Sequence, residues 1–244
     1  IWLNLQGYDL KTQLFILILV SIALLSLWIW PGLGLSLKDF IFAKVISSEL
    51  CPKGEGNIFD DEVLIYVNKD IALPLNYVPK DLKSIPKEVK TTNAICLKSL
   101  VLPYLKNMFD DAKAQNVNLA VTSGFRSKET QSMLYKALIN LKGEGAKNRI
   151  AKPRHSEHQL GTTMDFSGES VNYMSASDRF GGTLEDLWLR KNAHKYGFVL
   201  SYGKDKTLIT GYNYEPWHYR FVGIDVAKKI FEQQISVEEY FNNK

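Results

Sequence analysis

The feature that most constrains this chain is an unbroken apolar run from Leu14 to Trp30, which holds no charged residue and only Ser21 and Ser26 as polar positions. A helix that crosses a bilayer needs about 20 mostly apolar residues, with about 17 as the lower limit. A run of this kind is either buried in a core or given to a membrane, and a buried core helix normally keeps a polar face. Trp28 and Trp30 stand where an interfacial aromatic belt falls, and Pro31-Gly32 follow as a helix stop. A cleaved signal peptide has a shorter hydrophobic region, about 7 to 15 residues, ending in a small-x-small site. Here the run ends in Trp-Ile-Trp-Pro. The expectation is therefore an uncleaved, single-pass transmembrane anchor within residues 1–35. The sparse flanking charges, Lys11 before it and Lys38, Asp39 and Lys44 after it, do not fix its orientation.

The remaining residues read as a globular catalytic domain with a connector before it. The formal charge of +4 comes from Lys and Arg scattered among Asp and Glu, a solubilising pattern that gives no reason to expect nucleic acid as a partner. Cys51 and Cys96 are the two cysteines. They could pair in an oxidising compartment, and neither has a Cys or His at metal-ligand spacing. Residues 36–75 read as the connector, with turn-rich sequence at 51–57 and strand character at Val63–Val67; residues 76–244 read as the domain.

Within that domain, apolar residues at Leu97, Leu100, Val101, Tyr104, Leu105, Met108 and Phe109 follow helical spacing and predict a helix over 97–115. Leu119–Thr122 reads as a short strand. Ser127 caps a helix through Leu138, and 143–153 is a basic, glycine-containing loop. Short strands are expected at 162–166, 198–202 and 217–222, with helices over 184–196 and 225–234. Helices and short strands mixed without regular alternation indicate an α+β fold.

Chemistry concentrates in two segments, Ser156-Glu157-His158-Gln159-Leu160-Gly161-Thr162-Thr163-Met164-Asp165 and Glu215-Pro216-Trp217-His218. A catalytic zinc takes three nitrogen or oxygen ligands and keeps one position open, a set that His158, Asp165 and His218 would supply. Spacing by itself is only suggestive, because a histidine is more often a surface or core residue than a ligand.

Three ordered strings carry a more specific signal. Ser123-Gly124-Phe125-Arg126-Ser127 with Gln131, then Ser156-x-His158-x-x-Gly161-x-x-x-Asp165, then Glu215-x-Trp217-His218-Tyr219-Arg220-Phe221-Val222-Gly223 resemble the VanY-type D-alanyl-D-alanine carboxypeptidases. The likeness runs more loosely from Asn68 to Tyr240. It implies an α+β fold with a small antiparallel sheet flanked by helices, one zinc ion held by His158, Asp165 and His218, and removal of the terminal residue of a peptidoglycan stem peptide. It also implies that the domain works outside the cytoplasmic membrane, with the wall as its partner.

The resemblance assigns roles residue by residue. Glu215, three residues before His218, is the candidate general base and later acid. Arg126 is the cation that meets the scissile carbonyl as its charge grows. Ser156 and Gln131 are similar to positions that bind substrate near its terminal carboxylate, and Tyr202 is a further candidate in a strand. His155 and His194 fall outside the motifs and read as surface or structural residues. Phe125 departs from a frequent Tyr. Three alternatives stay open at this level: a D,D or an L,D preference, an endopeptidase of the same zinc fold, and a wall-binding zinc domain without catalysis, against which the intact Glu215 and Arg126 argue.

Overall fold

The computed structural model describes residues 51–52 and 63–243, all within one compact unit, Ser47–Lys244. The apolar run Leu14–Trp30 lies outside the described residues. Among the described residues no helix is long and apolar enough to cross a membrane.

A four-stranded antiparallel sheet is built from β3 (Leu119–Ser123), β4 (Thr163–Gly168), β6 (His218–Phe221) and β5 (Phe198–Leu200), in that spatial order. A two-stranded ribbon, β1 (Leu82–Ser84) with β2 (Cys96–Lys98), stands beside it. The helices are α1 (Leu102–Ala114), α2 (Lys128–Lys142), α3 (Leu184–Asn192), α4 (Ile224–Gln233) and α5 (Val237–Asn242), with a single helical turn at Thr207–Thr210. This is the expected α+β class with small antiparallel sheets.

The period-2 alternation of side chains divides the sheet into an apolar and a polar face. Met164 and Phe166 of β4, Tyr219 and Phe221 of β6, and Leu119 and Val121 of β3 join Leu105, Met108 and Phe109 of α1 and Trp188 and Leu189 of α3 in one buried cluster. Phe166 is its centre, with ring centroids 5.4 Å from Tyr219 and 6.1 Å from Phe109. Burial of each such side chain contributes about 1.5–3 kcal/mol. The intervening residues, Asp165 of β4 and His218 and Arg220 of β6, therefore point to the opposite face, where they are buried but polar.

The expected helix over 97–115 is shorter than its apolar spacing suggested. Leu97 belongs to β2, a 3₁₀ turn covers Ser99–Val101, and α1 starts at Leu102 with Pro103 in its first turn. Pro lacks the N–H that an interior helical residue needs, so it fits a first turn and not the middle of a longer helix. The final turn of the helix expected over 184–196 is likewise 3₁₀, over Ala193–Tyr196, and closes on Gly197 at φ 85°. The Ser127 cap is present, its hydroxyl accepting from Thr130 N at 3.2 Å.

Val63–Val67 form no regular strand. This segment and its continuation nonetheless pack into the molecule: Val67, Leu73 and Tyr77 are buried with Leu160 in a separate apolar cluster. Cys51 and Cys96 form a disulfide that ties the chain ahead of this segment to β2.

Candidate metal centre

β2 braces both halves of the site. Its Cys96 carbonyl accepts from Phe125 N at 2.9 Å, and Lys98 N donates to Gly161 O at 2.8 Å. The first contact requires glycine at 124, because a Cβ there would lie 2.4 Å from Ile95 Cγ2 and 2.8 Å from the Cys96 oxygen. Gly161 is required on different grounds. It ends the 3₁₀ turn Glu157–Leu160 at φ 72°, a left-handed conformation that costs glycine nothing, and turns the chain from His158 into β4.

The three proposed ligands meet on the polar face. Asp165 and His218 are direct cross-strand partners in the β4–β6 register, and His158 reaches them from the 3₁₀ turn. Asp165 Oδ1 lies 3.3 Å from His158 Nε2 and 3.3 Å from His218 Nδ1. All three residues are buried, and one ligand atom from each falls within 4.8 Å of the others. Asp165 Oδ1 is buried without a hydrogen-bond partner, which is costly unless a cation completes it. Tetrahedral bonds of about 2.0–2.2 Å to nitrogen and oxygen place ligand atoms about 3.3–3.6 Å apart. The donor set and its spacing fit zinc.

The hydrogen bonds fix which ring atoms face the centre. His158 Nδ1 is 2.8 Å from the Gly124 carbonyl. A carbonyl only accepts, so Nδ1 carries the proton and the Nε2 lone pair points inward. His218 is the reverse: its Nε2 is 3.0 Å from Glu157 Oε2, and its Nδ1 points inward. Burial lowers the His158 pKa and suits a neutral ligand. Burial also opposes charge on His218, but the Asp165 and Glu157 carboxylates beside it overcome this and raise the metal-free imidazole to about 10. Burial works against ionisation of Asp165 too, yet the two imidazoles outweigh it and hold the carboxyl well below the ordinary carboxylate range.

Glu215 sits at the edge of this group. His218 N donates to Glu215 O at 3.0 Å, closing the turn Glu215-Pro216-Trp217-His218 with Pro at its second position, where its fixed φ is favourable. The turn brings Glu215 Oε2 to 3.7 Å from His218 Nδ1 while leaving the side chain 14% exposed. Burial raises its pKa to about 7, with Asp165 adding to the rise and His218 and Arg126 opposing it.

Arg126 projects from the loop between β3 and α2, and its backbone N donates to His158 O at 3.1 Å. Its guanidinium donates to Gln131 Oε1 at 3.0 Å and to Ser123 Oγ at 3.1 Å, and lies close enough to Asp165 and Glu215 to feel both charges. Gln131 is buried, and its Nε2 donates to the Ala151 carbonyl at 2.6 Å. It therefore holds Arg126 in place in this structure. Ser156 is buried at the head of the 3₁₀ turn. The Tyr202 ring is 4.7 Å from the His218 ring, and burial, with Glu157 nearby, keeps its phenol neutral.

The two remaining histidines stay away from the centre. His155 Nδ1 is 2.8 Å from the Asn68 carbonyl, and His194 stacks on Phe231 with centroids 3.6 Å apart. Three buried polar residues beneath His218 were not among the sequence candidates: Glu157, Ser201 and Arg220. Strand periodicity puts Arg220 on the face of His218, and that was the available signal.

A His-Asp-His centre on the polar face of a small antiparallel sheet, with a raised carboxyl and a fixed arginine beside it, defines a metallopeptidase-type site. Residues 94–224 match the family model described as VanY, D-alanyl-D-alanine carboxypeptidase. The chain belongs to this family. YodJ of Bacillus subtilis (strain 168), a carboxypeptidase by name, is 42% identical over 185 residues, covering 74% of this chain and 67% of that protein. A D-alanyl-D-alanine carboxypeptidase of Enterococcus faecalis (strain ATCC 700802 / V583) is 34% identical over 191 residues, covering 74% of this chain and 66% of that one. The match thus spans about two thirds of the length of these relatives.

Solved structures agree. The LD-carboxypeptidase LdcB superposes with a TM-score of 0.68 at 41% identity, covering 74% of this chain and 86% of that chain. VanYB in complex with D-alanine-D-alanine gives 0.62 at 33% identity, covering 75% and 98%. A point mutant of the vancomycin-resistance D,D-pentapeptidase VanY, in complex with Zn(II), gives 0.60 at 33% identity, covering 73% and 98%.

Proposed function

We propose that this protein is a zinc carboxypeptidase that removes the C-terminal D-amino acid of peptidoglycan stem peptides. The observation that carries the reading is the convergence of His158 Nε2, Asp165 Oδ1 and His218 Nδ1 on one point, with Glu215 on the exposed side of it. Zinc held there supplies the Lewis acidity that makes a water nucleophilic near neutral pH and polarises the scissile carbonyl. Glu215 takes the proton from the attacking water and returns it to the leaving amine, a role that its place beside His218 Nδ1 at the edge of the centre allows. Arg126, held by Gln131 and Ser123, presents a fixed positive charge to the oxygen that becomes an oxyanion. Ser156 and Tyr202 are the remaining candidates for contact with the terminal residue.

The higher identity to LdcB than to VanYB supports a tetrapeptide stem, cut at its L,D bond, as the preferred substrate. The catalytic unit works outside the cytoplasmic membrane, anchored by Leu14–Trp30. That placement is supported by the length and composition of the run and by the Cys51–Cys96 disulfide, since such bonds persist in oxidising compartments. The test is release of D-alanine from tetrapeptide and pentapeptide stems. Release should be abolished by chelation, restored by zinc, and faster from the tetrapeptide. Release that is indifferent to chelator would refute the zinc mechanism, and release from the pentapeptide alone would refute the L,D preference.

A further inference from the structure

Glu157 is fully enclosed, yet its two oxygens serve three donors. Oε2 takes His218 Nε2 at 3.0 Å and Ser201 Oγ at 2.6 Å, and Oε1 takes Arg220 Nη1 at 3.1 Å. Arg220 is 0% exposed and donates through Nη2 to the Ile65 carbonyl. A buried ion pair between Glu157 and Arg220 alone would be weak evidence for anything, because desolvation offsets most of its attraction. What sets this pair apart is the third partner, the ring of a proposed metal ligand. The two imidazoles are also backed unequally: His158 leans on a neutral carbonyl and His218 on an ionised carboxylate.

We propose that Glu157 is the positioning residue that fixes His218 as an Nδ1 ligand, and that Arg220, locked to the chain at Ile65, holds Glu157 in the orientation this requires. The inference rests on the metal site assigned above. An imidazole that donates from Nε2 presents a lone pair at Nδ1, and a carboxylate cannot donate, so the Glu157 contact admits only the tautomer that can bind metal through Nδ1. Arg220 and His218 are two residues apart on β6, so both reach Glu157 from the same face. The segment around Ile65 thereby acts on the metal centre from a distance. It holds Arg220, which holds Glu157, which holds the ring.

Glu157→Gln tests this sharply because the amide has the same shape and one acceptor where the carboxylate has two. If its oxygen faces Arg220, its NH2 group confronts His218 Nε2, and the ring then adopts the tautomer with a protonated Nδ1, which cannot bind metal. If it is flipped, the NH2 group confronts the Arg220 guanidinium. Loss of such a partner typically weakens metal binding about 10- to 100-fold.

Zinc affinity of the metal-free protein and of E157Q is measured by competition with a chromophoric chelator, with thermal unfolding of both metal-free proteins as the control for folding. The expected result is a drop in zinc affinity of that size with folding retained. A folded E157Q that binds zinc as tightly as wild type would overturn the proposal. A second measurement needs no variant: nitrogen-15 spectra of the histidine rings in zinc-loaded wild type should show His158 bound through Nε2, and His218 bound through Nδ1 with a protected Nε2–H. His218 bound through Nε2, or an Nε2–H that exchanges freely, would overturn the proposal even if E157Q did not fold. Wild-type protein that takes up no zinc would overturn this proposal and the zinc reading together. Uptake by wild type with unchanged affinity in E157Q overturns this one alone.

Discussion

Replacing Glu215 with Gln should stop turnover and stabilise the metal-free protein, and the second effect follows from the structure as directly as the first. The Glu215 carboxyl is raised from 4.5 to about 7, chiefly by burial. A carboxyl whose folded pKa lies above its unfolded value favours folding in its neutral form. Its ionisation therefore penalises the folded state: the penalty is absent below pH 4.5 and complete once pH has passed the folded value. At about 1.4 kcal/mol per pH unit, the rise from 4.5 to about 7 corresponds to about 3 kcal/mol. The amide keeps the shape and cannot ionise, so E215Q escapes this cost. For a domain of this size about 3 kcal/mol shifts the melting temperature by about 6–12 °C. The assay is thermal unfolding of wild type and E215Q, both stripped of metal, at pH 5 and pH 8. The two should melt close together at pH 5, with E215Q well above wild type at pH 8, while steady-state assays of the zinc-loaded proteins show turnover reduced about 10²- to 10⁴-fold. An E215Q protein no more stable than wild type at pH 8 would show that burial does not raise the Glu215 carboxyl. Retained turnover would refute its role as base.

Zinc must displace the proton that His218 holds up to about pH 10 in the metal-free site, so apparent zinc affinity should rise about tenfold per pH unit across neutral pH, as read by chelator competition between pH 6 and 8. A flat profile would show that His218 does not hold that proton in the metal-free site. Arg126→Ala should lower kcat about 10²- to 10³-fold with a smaller effect on KM, and a raised KM at unchanged kcat would assign Arg126 to ground-state binding instead. Replacing Cys51 and Cys96 by Ser opens a loop of sequence separation 45 and should cost about 2–4 kcal/mol in denaturant unfolding. An unchanged midpoint would show that the cross-link does not constrain the unfolded chain.

The parts of the site that sequence made legible are those tied to short-range spacing. His158, Gly161 and Asp165 sit in one motif because a 3₁₀ turn, a left-handed glycine and the start of a strand must follow one another at fixed intervals. Glu215 and His218 sit three apart because a proline-containing turn joins them. Arg126 is legible because its loop is pinned through Gly124, whose neighbourhood excludes any larger residue. The supports beneath these residues were not legible, since they come from contacts between distant segments. Glu157 stands inside the first motif at an unassigned position, and only the fold shows that it meets Arg220 from β6 and Ser201 after β5. Leu97 matched a helical pattern because the inward side of a two-stranded ribbon and a helix both place leucines against the core, and short apolar runs do not distinguish them. The packing of Val67, Leu73 and Tyr77 against Leu160 was hidden for the same reason: proline-broken sequence gives no periodicity to read.

Removal of one residue from a free C-terminus separates a carboxypeptidase from an endopeptidase, and three substrates distinguish them. Zinc-loaded protein is incubated with a tetrapeptide stem, its C-terminal amide and a cross-linked stem at equal concentration, and the products are identified by mass. If donors around the terminal residue pair with an ionised carboxylate, its loss leaves them unsatisfied and should lower kcat/KM by orders of magnitude. Loss of a single D-alanine from the free acid is expected, with the amide and the cross-linked stem left nearly intact. Equal cleavage of acid and amide, or a product cut inside the stem, would contradict it and make the enzyme an endopeptidase built on the same metal centre.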